Sequence, residues 1–243
     1  MRTVLLLLAL TATAAPALHA ECVASSPAER LHLIELYTAE GCSSCPPAEQ
    51  WLSKLRDSNS IIALEFHVDY WDDLGWRDPF ADARYTARQR EMAKRETRDN
   101  VYTPQIAVDG RVWKNWPKEK PPEPDAADAP ALKMSVVRGD AIQVKVDGSS
   151  ATKIPDTYRV YVALSENGLS TAVKAGENRG KQLDHDQVVR AFAGPLELPL
   201  AEATLKPPAG VDLGKSSVVA FVQDRKSGAV VQAMRLPLAQ CAP

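Results

Sequence analysis

The chain has 243 residues, 29 Lys and Arg against 31 Asp and Glu, and a net charge of −2. Nothing in that balance suggests a nucleic acid or an anionic membrane as partner. With 45% hydrophobic residues the chain can bury a sizeable core, and the roughly 220 residues beyond its N-terminal leader suit two small domains.

The leader opens with Arg2 and an apolar run from Val4 to Leu10, then small residues up to Leu18-His19-Ala20 before Glu21. This reads as a cleavable secretory signal over residues 1–20. Pro16, His19 and Glu21 interrupt it short of the roughly 20 apolar residues that a membrane-spanning helix needs. The expected product is periplasmic or secreted, without stable membrane insertion. Its charge is near −3, because only Arg2 is lost with the leader.

Leu31 to Tyr37 and Ile61 to Val68 are strand-like runs separated by a helical segment, Ala48 to Leu55. That succession predicts a parallel βαβ unit with a right-handed crossover. Pro79 to Arg98, rich in Ala, Arg, Gln, Glu, Met and Lys, predicts a second helix. Gln105 to Val108 and Arg111 to Trp113 flank Asp109-Gly110, a hairpin signal. The order β-α-β-α-β-β is that of the thioredoxin fold. Pro117, Pro121, Pro122, Pro124 and Pro130 predict an extended linker over 117–130 where a last helix would stand.

Beyond Leu132 come short alternating runs: Lys133 to Val137, Ala141 to Val146, Tyr158 to Leu164, Ser217 to Gln223 and Ala229 to Leu236. The expected architecture is therefore an α/β thioredoxin-like domain over 21–116, followed by a small antiparallel β-sandwich-like domain over 131–243.

Cys42-Ser43-Ser44-Cys45 stands between the first strand and the first helix. Such a pair serves redox exchange, half of a zinc site or a structural bridge. Zinc wants four ligands, with no second Cys-x-x-Cys pair present and His32, His67 and His185 scattered along the chain, so no metal is assigned. Pro46 and Pro47 are tolerated only near a helix start, and Pro46 biases Cys45 away from helical dihedrals. The reading places Cys42 exposed in the turn as attacking thiolate and Cys45 as the resolving thiol. Thioredoxin-like folds carry a cis proline against the cysteine pair at this point, and that resemblance implies a cis Thr103-Pro104 presenting a substrate backbone, in place of an ordinary trans turn.

Glu35 is the candidate proton acceptor if a strand bulge brings it to the position six before Cys42, which Leu36 holds, and is otherwise a solvated strand residue; Glu40 and Glu65 are weaker candidates. Cys22 and Cys241 either bridge the chain ends or remain as thiols in frayed tails. Asp69 to Asp78 reads as a packed Trp loop, a substrate groove or a calcium-like acidic site. Gly176 to Lys181 lacks the strand-to-helix glycine pattern of a phosphate loop. His185 is assigned a structural role.

Together, Glu35 to Ala48, His67 to Trp71, Tyr102 to Gln105 and Gly176 to Gly180 resemble an exported bacterial thioredoxin-like family of unassigned function, domain of unknown function 1223. The resemblance implies a redox-type cysteine pair and a β-rich extension, and brings no substrate. The leading expectation is an exported thiol-disulfide oxidoreductase needing no cofactor. Its partners would be exported protein thiols or disulfides and an unknown redox partner. The rival is a non-catalytic thioredoxin-like binding module, or a soft-metal protein holding copper.

Overall fold

A computed structural model describes residues 21–96, 100–121, 129–149 and 154–241. The signal peptide expected over 1–20 lies outside them, and the proline-rich stretch 117–130 lies partly outside.

In chain order the strands are β1 (Glu21–Ser25), β2 (His32–Thr38), β3 (Ile61–His67), β4 (Gln105–Val108), β5 (Arg111–Val112), β6 (Lys133–Val137), β7 (Ile142–Asp147), β8 (Tyr158–Glu166), β9 (Leu169–Ala172), β10 (Gln182–His185), β11 (Val188–Glu197), β12 (Leu200–Leu205), β13 (Ser216–Asp224) and β14 (Val230–Pro237). Helix α1 (Pro46–Ser53) follows β2 and helix α2 (Ala83–Arg95) follows β3.

An eight-stranded mixed sheet, ordered β14-β13-β8-β11-β3-β2-β4-β5, takes four strands from each half of the chain. The junction is the parallel pairing of β11 with β3 at Val188 and Glu65. Strands β1, β6, β7 and β12 form a separate antiparallel sheet, and β9 and β10 a two-stranded hairpin.

This corrects the expected α/β thioredoxin-like domain with an appended small sandwich. The β-α-β-α-β-β succession is present, but the chain is mostly β and its larger sheet is shared by both halves. The physical reason is visible in the burial of the later strands. In β6, β7 and β12 every second residue is buried, as in sheets with one wet face. By contrast, β8 is buried from Val160 to Glu166 and β13 from Ser216 to Gln223, on both faces. Such strands belong in the middle of a covered sheet.

One face of the large sheet packs on the four-stranded sheet through Val162, Leu164, Val218 and Ala220 against Met134, Val136, Val144 and Val146. On the other, Tyr85 and Met92 of α2 meet Phe66, Tyr161 and Phe221. The two-residue pleat sends Leu33, Glu35 and Tyr37 of β2 one way and Ile34, Leu36 and Thr38 the other. Ile34, Leu36 and Ala63 receive Ala48 and Leu52 of α1. A disulfide joins Cys22 to Cys241, the bridging alternative for the chain ends.

Candidate functional site

Cys42 and Cys45 form a disulfide with Cα atoms 5.5 Å apart. The turn is tied by the Cys42 N–H to the Ala39 carbonyl and the Cys45 N–H to the Cys42 carbonyl. The helix starts at Pro46, with Pro47 in its first turn, where missing N–H groups cost nothing. Cys45 keeps right-handed helical dihedrals, φ −79° and ψ −39°, despite the bias imposed by Pro46. Its carbonyl accepts from the N–H groups of Ala48 and Glu49, and that commitment to the first helical turn fixes its backbone.

Both cysteines are 0% exposed, whereas Ser43 and Ser44 lie open to solvent. The expected exposure of Cys42 is thus corrected. The cover is the tip of the β9–β10 hairpin, the Gly176 to Lys181 segment. Asn178, itself buried, donates its amide to the carbonyls of Glu40 (2.8 Å) and Cys42 (2.9 Å). Glu177 accepts the Ser43 N–H at 2.9 Å, which holds its carboxyl below the usual carboxylate range. Gly176, at φ +72°, sits so close to Trp76 that a Cβ would come within 3.2 Å of the Trp76 Cβ.

Asp69 to Leu74 forms a 3-10 turn after β3. Trp71 packs beside Gly41 and donates its indole N–H to the Thr103 hydroxyl at 2.9 Å. That side chain joins the cysteine turn to Thr103-Pro104, whose peptide bond is cis. Of the three readings of the Asp69 to Asp78 segment, its tryptophans act as packed side chains; Trp76 donates to Glu40 at 2.7 Å.

Glu35 lies on the α2 face of the sheet. Its carboxylate accepts from Arg88 at 2.6 and 2.9 Å and from the Tyr37 hydroxyl at 2.9 Å. Arg88 is in turn surrounded by the rings of Tyr161, Phe192 and Phe221. Burial raises the Tyr37 phenol well above its ordinary pKa, and Glu35 adds to the rise.

The carboxylates that flank the cysteine turn in sequence are instead Glu40 and Glu49, and both are buried in a polar cluster under α1. The pleat adds Glu65 and His67 from β3, and the hairpin that covers the cysteines ends on His185. His67 Nε2 lies 2.8 Å from Glu65 Oε1 and His67 Nδ1 2.7 Å from Asp78 Oδ2. His185 Nδ1 lies 3.1 Å from Glu65 Oε1 and 3.6 Å from Glu49 Oε2, while its Nε2 is 3.3 Å from Glu40 Oε1.

Burial pushes the Glu49 carboxyl up to about 7, with the charge of Glu65 adding to it. Burial alone would depress His185, but Glu40 and Glu65 override it and hold the imidazole at about 10. His67 is likewise raised against its burial by Asp78 and Glu65. Those histidines in turn lower Asp78 and Glu65 against the desolvation of each. Three of the donors, on Glu65, His67 and His185, all lie within 4.8 Å of one another.

Sequence reasoning counted His67 and His185 as scattered and missed this gathering. A signal was present. Glu65-Phe66-His67 puts two ionisable residues, two apart and hence on one face, inside a run that otherwise reads as wholly buried.

A family profile, Protein of unknown function (DUF1223), matches residues 33–223, which takes in both halves of the chain. The chain belongs to this family. Among solved structures it is similar to protein AGR_C_4864 from Agrobacterium tumefaciens, at 24% identity and a TM-score of 0.60, over 88% of this chain and 98% of that one. It is also similar to HBP35 of Porphyromonas gingivalis, at 13% identity and a TM-score of 0.59, over 90% of this chain and 78% of that one. At these identities the likeness is one of fold. No curated protein matches. Among the described residues no helix is long and apolar enough to cross a membrane.

Proposed function

We propose that this chain is an exported thiol-disulfide exchange protein whose Cys42–Cys45 pair works beneath a hairpin cover. The observation that carries the reading is a disulfide between cysteines three apart at the first turn of α1, linked through Trp71 to a cis Thr103-Pro104. In the reduced state the Cys42 thiolate attacks a substrate disulfide and displaces one substrate thiolate. Cys45 then attacks the mixed disulfide, releasing the second thiolate and restoring the Cys42–Cys45 bond. Two electrons pass to the substrate, whose two thiolates take up the proton released by the Cys45 thiol and one from solvent. The cycle needs no cofactor, and the reverse sequence reduces the pair. A secreted or periplasmic location agrees with two disulfides, since such bonds persist where the medium is oxidising.

The complete burial of both cysteines favours a second reading, in which the pair is a permanent cross-link in a binding module. Equilibrating the protein and its Cys22→Ser, Cys241→Ser variant against glutathione, with thiol trapping, separates the two. A potential between about −120 and −270 mV, where exchange catalysts lie, supports the proposal. A pair that stays oxidised below about −300 mV refutes it and leaves the cross-link.

A further inference from the structure

We propose that Glu49, Glu65, His67 and His185 bind one divalent first-row transition-metal ion, of which zinc fits the donor set best, beneath helix α1. The donors already converge. Glu65 Oε1 is 2.8 Å from His67 Nε2 and 3.1 Å from His185 Nδ1, and Glu49 Oε2 is 3.6 Å from the same His185 nitrogen. A tetrahedral ion with bonds of about 2.0–2.2 Å holds its donors roughly 3.3–3.6 Å apart; these three separations lie within about 0.5 Å of that range, and the donor atoms of Glu65, His67 and His185 all lie within 4.8 Å of one another.

The orientation of the imidazoles is more telling than their proximity. Each turns one nitrogen to the shared centre and the other to an outer carboxylate: His67 to Asp78 at 2.7 Å, His185 to Glu40 at 3.3 Å. Such carboxylate–histidine pairs fix the tautomer and aim of a metal ligand. The outer groups are themselves held, Asp78 by the N–H groups of Glu40 and Phe80 and Glu40 by the Trp76 indole, while the ligand Glu49 is held by the Thr38 hydroxyl. Furthermore, Glu65 Oε2 is fully buried and has no hydrogen-bond partner among the described residues. A buried carboxylate with one oxygen unpaired is costly, and a cation bound by Glu65 would neutralise the charge of that carboxylate.

With an ion on the inward nitrogens, each imidazole needs a single N–H, directed outward to Asp78 or Glu40. Nitrogen and oxygen donors suit zinc or its divalent neighbours and not a soft ion such as copper(I). The site uses neither cysteine, so it stands apart from the exchange chemistry proposed above.

The test is metal content and affinity of the full chain, unfolded with chelator and refolded with Zn²⁺ or Co²⁺, read by native mass spectrometry and visible absorption. One ion per chain is expected, with cobalt d–d bands free of thiolate charge transfer, and unchanged in the Cys42→Ser, Cys45→Ser variant. His185→Gln should abolish binding. Asp78→Asn, which keeps every ligand, should weaken it about 10- to 100-fold and decides the matter if His185→Gln does not fold. No ion retained by the wild type, binding lost with the cysteines, or equal affinity in Asp78→Asn would overturn the proposal.

Discussion

Asn178→Ala tests whether the hairpin tip gates the disulfide. The side chain donates to two main-chain carbonyls, those of Glu40 and Cys42, and accepts from Lys181 Nζ at 2.9 Å. Truncation removes both donors at once. Each hydrogen bond contributes about 1 kcal/mol net, so the closed tip loses about 2 kcal/mol relative to an opened one in which water takes both carbonyls. Since 1.4 kcal/mol is a factor of ten, the open population rises about 30-fold. When opening and reclosing are fast, attack on a protected group tracks that population. The assay is the rate of Cys42–Cys45 reduction by a small phosphine under native conditions, followed by thiol trapping and peptide mapping. The variant should be reduced about 30-fold faster, with little change in the reactivity of Cys22–Cys241. Equal rates at Cys42–Cys45 would show that the tip does not control access and would refute the argument.

The same phosphine assay across pH isolates Glu177, whose folded pKa lies below the ordinary value. Its grip on the Ser43 N–H is therefore present above the unfolded carboxylate pKa and lost as pH falls through the folded one. Glu177→Gln should be reduced faster than wild type at pH 6, the ratio falling towards one in acid; a ratio independent of pH would argue against this gate. Arg88→Met leaves Glu35 buried without its cation and should cost about 3–5 kcal/mol in urea unfolding, most of it recovered by adding Glu35→Leu. A loss under about 1 kcal/mol would contradict the role assigned to the pair. Gly110 has φ +79°, and a Cβ there would come within 2.0 Å of the Gly228 carbonyl oxygen. Gly110→Ala should destabilise by more than about 2 kcal/mol, measured by thermal unfolding.

What the amino-acid sequence determined by itself was local. The cysteine pair is legible because its three-residue spacing, the prolines after it and the strand before it all lie between Leu31 and Pro47. Helices α1 and α2 and the β4–β5 hairpin follow from propensity, proline placement and Asp109-Gly110 in the same way. The sequence offered Glu35 as a proton acceptor or a solvated strand residue; the pleat and α2 decided that it is buried against Arg88.

The tertiary structure alone decided how the halves meet. Strand patterns tell which faces are buried, not which strand lies alongside, so β11 joining the edge of β3 could not be read in advance. That junction brings the β9–β10 hairpin over the cysteines, burying Cys42, and carries His185 to Glu40, 145 positions earlier in the chain. A cluster assembled over such separations depends on register and topology, and no periodicity in the intervening sequence records it.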